Sequence, residues 1–245
     1  MNDVRILVAS AAAIACASPA FGQAFTFDSL AHGEIVTNQY EPMMTISAEN
    51  YRRPHNLLVG FNTNATGTAD PDLEAPWLGG NLLHNGVSTD LGTALIISET
   101  DVDADGDGII DDPSDEGLRP AGRIDIEFAR PVPMFGLDVV DIEGQVSEFS
   151  SLVFFVNGSA VGVVDFEDFE NPASQYYDPT IIFGNNSANR IKPILASDFN
   201  VEGFDGVKIY VGGSSAYDTF FIPAPASAAV LGFAGVAASR RRRAG

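Results

Sequence analysis

The chain has 245 residues, of which 45% are hydrophobic and 10% aromatic, and its formal net charge at pH 7 is −20. This composition excludes a disordered acidic tail, because enough apolar residues are present to form a folded core. The negative charge disfavours nucleic acid and anionic lipid as partners, and a single cysteine, Cys16, excludes a disulfide scaffold.

The N-terminal segment has the pattern of a secretory signal peptide. A short apolar run, Ile6–Ala15, follows Arg5, and small residues suited to cleavage follow at 15–17 and 22–24. We therefore expect a signal helix in residues 1–24 and a mature chain that begins at Phe25 without Cys16. A lipoprotein site at Cys16 is the alternative, because residues 13–16 loosely match a lipobox.

Residues 25–221 show a hydrophobic period of two, in short β-branched and aromatic runs separated by Gly, Asn, Asp and Pro. The pair Asn157-Gly158 predicts a hairpin with a type I′ turn. The pattern predicts an all-β domain, an antiparallel two-sheet β-sandwich of jelly-roll type. The predicted strands are Phe25–Asp28, Ile35–Tyr40, Met44–Ala48, Leu57–Phe61, Ala94–Ser98, Arg123–Phe128, Phe135–Asp141, Leu152–Val156, Ala160–Phe166, Thr180–Phe183, Val207–Val211 and Thr219–Ile222.

An acidic loop at residues 101–116 contains aspartates at alternate positions. Calcium takes six to eight oxygen ligands, which closely spaced carboxylates on a tight glycine turn supply. A register that begins at Asp103 places Gly108 at the bend and Ile110 at the eighth position; one that begins at Asp101 is the alternative. The candidate ligands are Asp101, Asp103, Asp105, Asp107, Asp111 and Asp115.

This loop resembles the Asp-x-Asp-x-Asp-Gly calcium loops of thrombospondin type 3 repeats and dockerins. The resemblance implies bound Ca²⁺ with a structural role. Ser114 occupies the position at which an EF-hand has its bidentate glutamate, so Asp115 or Glu116 would have to substitute. A solvated acidic loop without metal is the alternative.

A second acidic segment precedes the only tryptophan. Asp70, Asp72 and Trp77 suggest a sugar-stacking platform or a second cation site, whereas the simpler interpretation is that Trp77 is a buried anchor for its loop. We interpret Asp138, Asp141 and Glu143 as surface acids. The amide-rich segment 184–190 is expected to serve turns.

No catalytic arrangement stands out. The three histidines are isolated from one another in the sequence, and there is no Gly-x-Ser-x-Gly elbow. We therefore predict a non-catalytic protein with a structural or adhesive role. A carbohydrate-binding module is one alternative, and a secreted glycoside hydrolase with paired carboxylates is another.

The C-terminal residues 222–245 combine a Pro223-Ala224-Pro225 motif, an apolar run and a basic end. The run from Ala224 to Ala238 predicts a short transmembrane helix, and the basic cluster would hold its own end in the cytoplasm. The cluster consists of Arg240, Arg241, Arg242 and Arg243.

This tail resembles the PEP-CTERM sorting signal of exported Gram-negative bacterial proteins, in which a Pro-Glu-Pro motif precedes a membrane helix and arginines; here Ala224 replaces the acid. The resemblance implies processing by an exosortase-type enzyme after transient insertion in the inner membrane. It further implies a final location on the cell surface or in the extracellular matrix, with exopolysaccharide as a partner.

Overall fold

The structure is a computed structural model that describes residues 23–143 and 149–222. The predicted signal helix and the predicted C-terminal membrane helix, with Pro223, Ala224, Pro225 and the arginine cluster, lie outside the described residues. Among the helices within that range, none combines the length and the apolar character needed to cross a bilayer.

Strands dominate the described chain. One short α-helix, α1, spans Glu167–Glu170, and 3₁₀ turns span Pro71–Leu73 and Ala196–Phe199. The strands are β1 Gln23–Phe25, β2 Met44–Asn50, β3 Leu58–Asn62, β4 Leu83–His84, β5 Val87–Ser88, β6 Thr93–Ile97, β7 Gly122–Val132, β8 Met134–Val140, β9 Ser151–Val156, β10 Ser159–Asp165, β11 Ala188–Leu195, β12 Phe204–Val211 and β13 Ala216–Ile222.

Two antiparallel sheets and one small hairpin contain these strands. Sheet I has the order β11-β8-β13-β6-β3, and β1 pairs with the last residues of β13. Sheet II has the order β10-β9-β12-β7-β2, and β4 pairs with β5. The protein is therefore all-β with antiparallel sheets, an architecture compatible with a β-sandwich, as the period-two pattern predicts.

A single large apolar core contains the inward side chains of both sheets. In β2 and β7, alternate residues such as Ile46 and Ile126 are buried, while the residues between them point outward. Phe27, Phe135 and Phe220 make edge-to-face contacts within this core, with ring centroids 5.0 and 5.3 Å apart. The alternation is the expected result of one apolar face and one hydrated face on each strand.

The opposite face of sheet I is also covered. A second apolar cluster joins Val59 and Ile96 of the sheet to Leu73, Trp77 and Ile110 of the long loops 63–92 and 98–121. Because both faces are buried, all five residues of β6 are buried rather than every second one. These loops bring the candidate metal residues against sheet I.

Nine of the twelve predicted strands overlap observed strands over most of their length, the predicted strand Phe25–Asp28 shares only Phe25 with β1, and two predictions fail. Residues 35–40 form only an isolated bridge at Ile35 and a turn, and residues 180–183 form no strand. Strand β11 was not predicted, because we assigned its first residues to an amide-rich turn. The predicted type I′ hairpin is present, with φ of +51° at Asn157 and +73° at Gly158.

Candidate metal centre

The outer part of the acidic loop has three carboxylates in one place. Oxygens of Asp103, Asp105 and Asp107 lie within 4.8 Å of one another. The backbone N–H groups of Gly106 and Gly108 donate to the Asp103 carboxylate at 2.7 and 2.9 Å. Both glycines have positive φ, +77° and +86°, so the chain bends around Asp103 in a way that other residues adopt only with strain.

The outer loop is closed by one further aspartate and fixed to the sheet by one isoleucine. Asp111 accepts a hydrogen bond from the backbone N–H of Ala104 at 2.8 Å. Ile110 is buried in the cluster against sheet I, and its N–H donates to the carbonyl of Gly33. The register that begins at Asp103 thus places its apolar eighth residue where the loop needs an anchor.

Hydrogen bonding favours the ionised form of Asp103. The hydrogen bond from the Gly108 N–H, together with the other backbone donors, lowers the pKa of Asp103. Asp103, Asp105 and Asp107 together present several carboxylate oxygens within 4.8 Å of one another. A hard divalent cation is the ligand that such an oxygen group is suited to bind.

Two of the predicted metal residues lie elsewhere. Asp101 faces His55, with 3.7 Å between its Oδ2 and the imidazole Nδ1, and its side chain is 67% exposed. Asp115 turns inward and is only 5% exposed. Its carboxylate accepts hydrogen bonds from the Ser214 hydroxyl at 2.9 Å and from the Ser215 N–H.

Asp115 joins a second, inner acidic group. Its backbone N–H donates to Asp70 Oδ2 at 2.7 Å. The Ser214 hydroxyl lies 2.9 Å from both the Asp115 and the Asp141 carboxylates, so it bridges them. Oxygens of Asp72, Asp141 and Glu143 in turn lie within 4.8 Å of one another.

The inner group is poorly supplied with positive charge. Arg119 contacts it at the surface, where Nη2 donates to Glu143 at 2.9 Å. Asp72 Oδ1 is buried and has no hydrogen-bond partner among the described residues. Burial raises the pKa of Asp70 and of Asp141 to about 7, and it raises that of Asp115 well above the usual range.

Two of the three acids that we interpreted as surface groups are buried. Asp138 and Asp141 are fully buried, whereas Glu143 is exposed as expected. The position of Asp138 inside the apolar run of β8, with Asp141 directly after it, was a signal of this, because a charge within a doubly covered strand needs a partner. Asn186 and Ser214, which complete the inner group, carried no such signal.

Trp77 has no exposed ring face on which a sugar could stack. It is 3% exposed, its Nε1–H donates to the carbonyl of Thr89 at 2.9 Å, and its backbone N–H donates to Ser88 Oγ. The ring packs in the second apolar cluster with Leu73 and Ile96. This geometry is that of the buried anchor.

Comparison with known proteins yields no assignment. No protein-family model matches the chain, and no curated protein is significantly similar to it.

Proposed function

We propose that this protein is a non-catalytic, exported β-sandwich of jelly-roll type whose long loops are stabilised by calcium, with a structural or adhesive role at the cell surface or in the extracellular matrix. The observation that supports it best is the convergence of Asp103, Asp105 and Asp107 within 4.8 Å on a loop anchored to sheet I. Outside the cell, calcium is abundant enough to occupy even a weak site of this type.

The proposed role of calcium follows from how the loop is held. Most of its internal hydrogen bonds run from backbone N–H groups to aspartate oxygens, so its conformation requires those aspartates to stay together and ionised. A bound cation would offset their repulsion and tie the loop to the sheet through Ile110. The inner group, with Asp72, Asp141 and Glu143, offers a second oxygen-rich position.

A calcium titration of thermal unfolding tests the proposal. For a dissociation constant of about 0.1–1 mM, 2 mM calcium should stabilise the protein by about 0.6–1.8 kcal/mol, which raises the melting temperature by roughly 1–7 °C. The triple change of Asp103, Asp105 and Asp107 to Asn should abolish this shift. Glu202→Gln, an exposed acid outside the loop, is the control. An identical melting curve in calcium and in EGTA would refute the calcium role.

Isothermal titration calorimetry distinguishes calcium binding at the outer loop from calcium binding at the inner group. Asp141→Asn should leave binding at the outer loop intact and lower the stoichiometry if the inner group also binds a cation. Retention of the full calcium signal in the outer triple variant would place the ion in the inner group instead.

The export and sorting proposal depends on residues 1–24 and 222–245. Support comes from the sequence pattern alone: a signal peptide at one end, and Pro223-Ala224-Pro225, an apolar run and Arg240–Arg243 at the other. Intact mass measurement of the protein recovered from the cell surface and medium should show a chain that begins at Phe25 and ends near Pro223. Recovery of the full-length chain from the cytosol would refute it.

A further inference from the structure

The outward face of sheet II is a flat, polar surface with aromatic rings in it. Directly opposed residues of antiparallel strands point to the same face, so the strand register defines three rows across the sheet. The rows are Asp165-Ser151-Tyr210-Arg123-Glu49, Val163-Val153-Lys208-Asp125-Ser47 and Ala160-Phe155-Gly206-Glu127-Thr45. Apart from Ser151 and Gly206, these residues are exposed or half-buried.

The strands approach each other closely at the third row, because a Cβ at Gly206 would lie 2.7 Å from the carbonyl oxygen of Ile126. A hollow of about 400 Å³ opens on the face there, and Phe155, Gly206 and Glu127 are among the residues that line it. The Phe155 ring lines one side of it, and the Lys208 ammonium lies 5.3 Å from the ring centroid. Asp125 also lines the space. The hollow therefore combines one ring face with groups that donate and accept hydrogen bonds.

A second hollow of about 400 Å³ lies toward the other end of β12. Tyr51 and Tyr210 line it together with Pro120 and Gly212. Tyr51 is 40% exposed. From Gly206 to Tyr210 the strand extends about 13 Å, so the two hollows are separated by a distance that one extended ligand can span.

A strip of ion pairs connects the hollows. Arg123 contacts Glu49 at 3.0 Å and Asp125 at 2.8 Å, and Lys208 contacts Asp125 at 3.1 Å. Both cations of the three rows are thus paired with neighbouring carboxylates, and Arg119, which lines the second hollow, donates to Glu143 at 2.9 Å. A polyanion would gain no unpaired positive charge here and would meet three or more acids, whereas hydroxyl groups can donate to the carboxylates and accept from the Arg123 and Lys208 donors.

We propose that the outward face of sheet II binds a neutral polysaccharide chain along β12, with sugar rings packed against the accessible parts of Phe155 and Tyr210. Both side chains are half-buried, with Lys208 over the Phe155 ring and Arg123 over the Tyr210 ring, at 5.3 and 6.0 Å from the ring centroids. Aromatic side chains with a polar surround suit a ligand that has both apolar ring faces and hydroxyl edges. The backbone of the central strands is fully paired within the sheet, so an added peptide strand has no edge here. The inference rests on the proposed function only for the location outside the cell, and the calcium groups take no part in it.

Native gel electrophoresis of the purified protein through immobilised polysaccharides tests the proposal. The probes are dextran, galactomannan and mixed-linkage β-glucan as neutral polymers and alginate as an anionic one. At least one neutral polymer should retard the protein, and alginate should not. Phe155→Ala with Tyr210→Ala should weaken retardation at least tenfold, while Tyr210→Phe keeps the ring and should preserve it.

Tyr177→Ala is the control, because Tyr177 is an exposed tyrosine, at 40%, that lines a separate hollow near α1. Melting curves verify that each variant is folded. Three results would overturn the proposal: no neutral polymer retards the protein, alginate alone retards it, or the double variant is retarded as strongly as the natural protein. Loss of retardation in the Tyr177 variant would also overturn it. So would a finding that the double variant changes self-association of the protein and not its binding to polysaccharide.

Retardation should persist in EGTA, since no residue of the acidic loop lies on this face. Its disappearance in EGTA would contradict the assignment to sheet II. A calcium-dependent melting shift that persists in the Phe155 and Tyr210 variants would show that calcium binding and polysaccharide binding are independent.

Discussion

Asp138 of β8 and Asp218 of β13 are directly opposed in the antiparallel register, and both are buried. Arg190 donates to both oxygens of Asp138, at 2.8 and 2.7 Å, so Asp138 is the ionised partner of a bidentate pair. Asp218 Oδ2 accepts a hydrogen bond from Thr219, but its Oδ1 has no partner among the described residues. One cation thus serves two adjacent carboxyls, and we assign the extra proton to Asp218.

Stability should therefore fall as pH rises through the titration range of Asp218. Burial, with smaller contributions from Asp138 and Asp28, raises its pKa from 3.8 to about 7, against the hydrogen bonds from Thr219. Between pH 4 and 7 the folded chain holds a proton that the unfolded chain has released. The free energy of unfolding then decreases by up to about 1.4 kcal/mol per pH unit from this carboxyl.

Asp218→Asn isolates that contribution. The variant lacks the titrating carboxyl. Its free energy of unfolding, measured in urea, should therefore increase relative to that of the natural protein between pH 4.5 and 8. Buried carboxyls that do not interact with Asp218 cancel in the difference, whereas Asp138 interacts with it and contributes. A difference that does not vary with pH would show that Asp218 is ionised throughout. The groups that interact electrostatically with Asp218 are not substituted in this test. They are Tyr40, Asp28, Asp138 and Arg190.

Removal of the Asn186 side chain should destabilise the loop layer. Its Nδ2 donates to the carbonyls of Asp72 and Glu74 at 2.9 and 2.8 Å, and its Oδ1 accepts from the Leu78 N–H. Loss of these buried bonds in Asn186→Ala should cost about 2–4 kcal/mol by chemical denaturation. Because φ is +51° at this position, Asn186→Gly should cost about 1 kcal/mol less than Ala. A cost below about 0.5 kcal/mol for Ala would contradict this role.

Trp77 should report directly on its burial, since it is the only tryptophan. Its fluorescence should be blue-shifted and shielded from acrylamide in the folded protein. Trp77→Phe should cost about 1–3 kcal/mol, because the carbonyl of Thr89 loses the indole N–H donor. Emission at the wavelength of free indole, with full quenching, would mean that the ring is exposed and that a sugar platform at Trp77 must be reconsidered.

The β9–β10 turn allows a clean measurement of backbone strain. A Cβ at Gly158 would meet nothing within 4 Å, but φ there is +73°. Gly158→Ala should therefore cost about 1–2 kcal/mol through conformation alone. Gly117 has equal space around it and no positive φ, so Gly117→Ala is the matched control and should be close to neutral. Equal effects of the two substitutions on the midpoint of urea unfolding would show that the turn is not held in its type I′ form.

The strands of sheet II could be predicted because each has one apolar and one hydrated face, as β2 and β7 show. Strand β11 could not, since Asn189, Arg190 and Lys192 interrupt its apolar pattern. Asn189 is a buried structural amide: its side chain bonds both the N–H and the carbonyl of Ile182. Such pairing across a loop leaves no periodic trace in the sequence.

The candidate metal residues also divide into those that the sequence predicts and those that it does not. Asp103, Asp105 and Asp107 are neighbours in sequence, so their spacing alone predicts that their carboxylates meet. The inner group joins Asp70 to Asp115, 45 residues later, and, through the Ser214 hydroxyl, to Asp141, which directly follows β8. The path of the loops over sheet I brings them together, and no local pattern indicates it.

The pairing of β1 with the end of β13 has a mechanical consequence. Cleavage after Ala24 would remove Gln23 and Ala24 and leave Phe25, which lies opposite Phe220, so the proposed mature N-terminus still lies beside β13. A load applied between the two ends of the mature domain would release this one remaining pair first. The load would then act on β13, which lies inside sheet I between β8 and β6, so the extension before the sheet itself bears the force should be short.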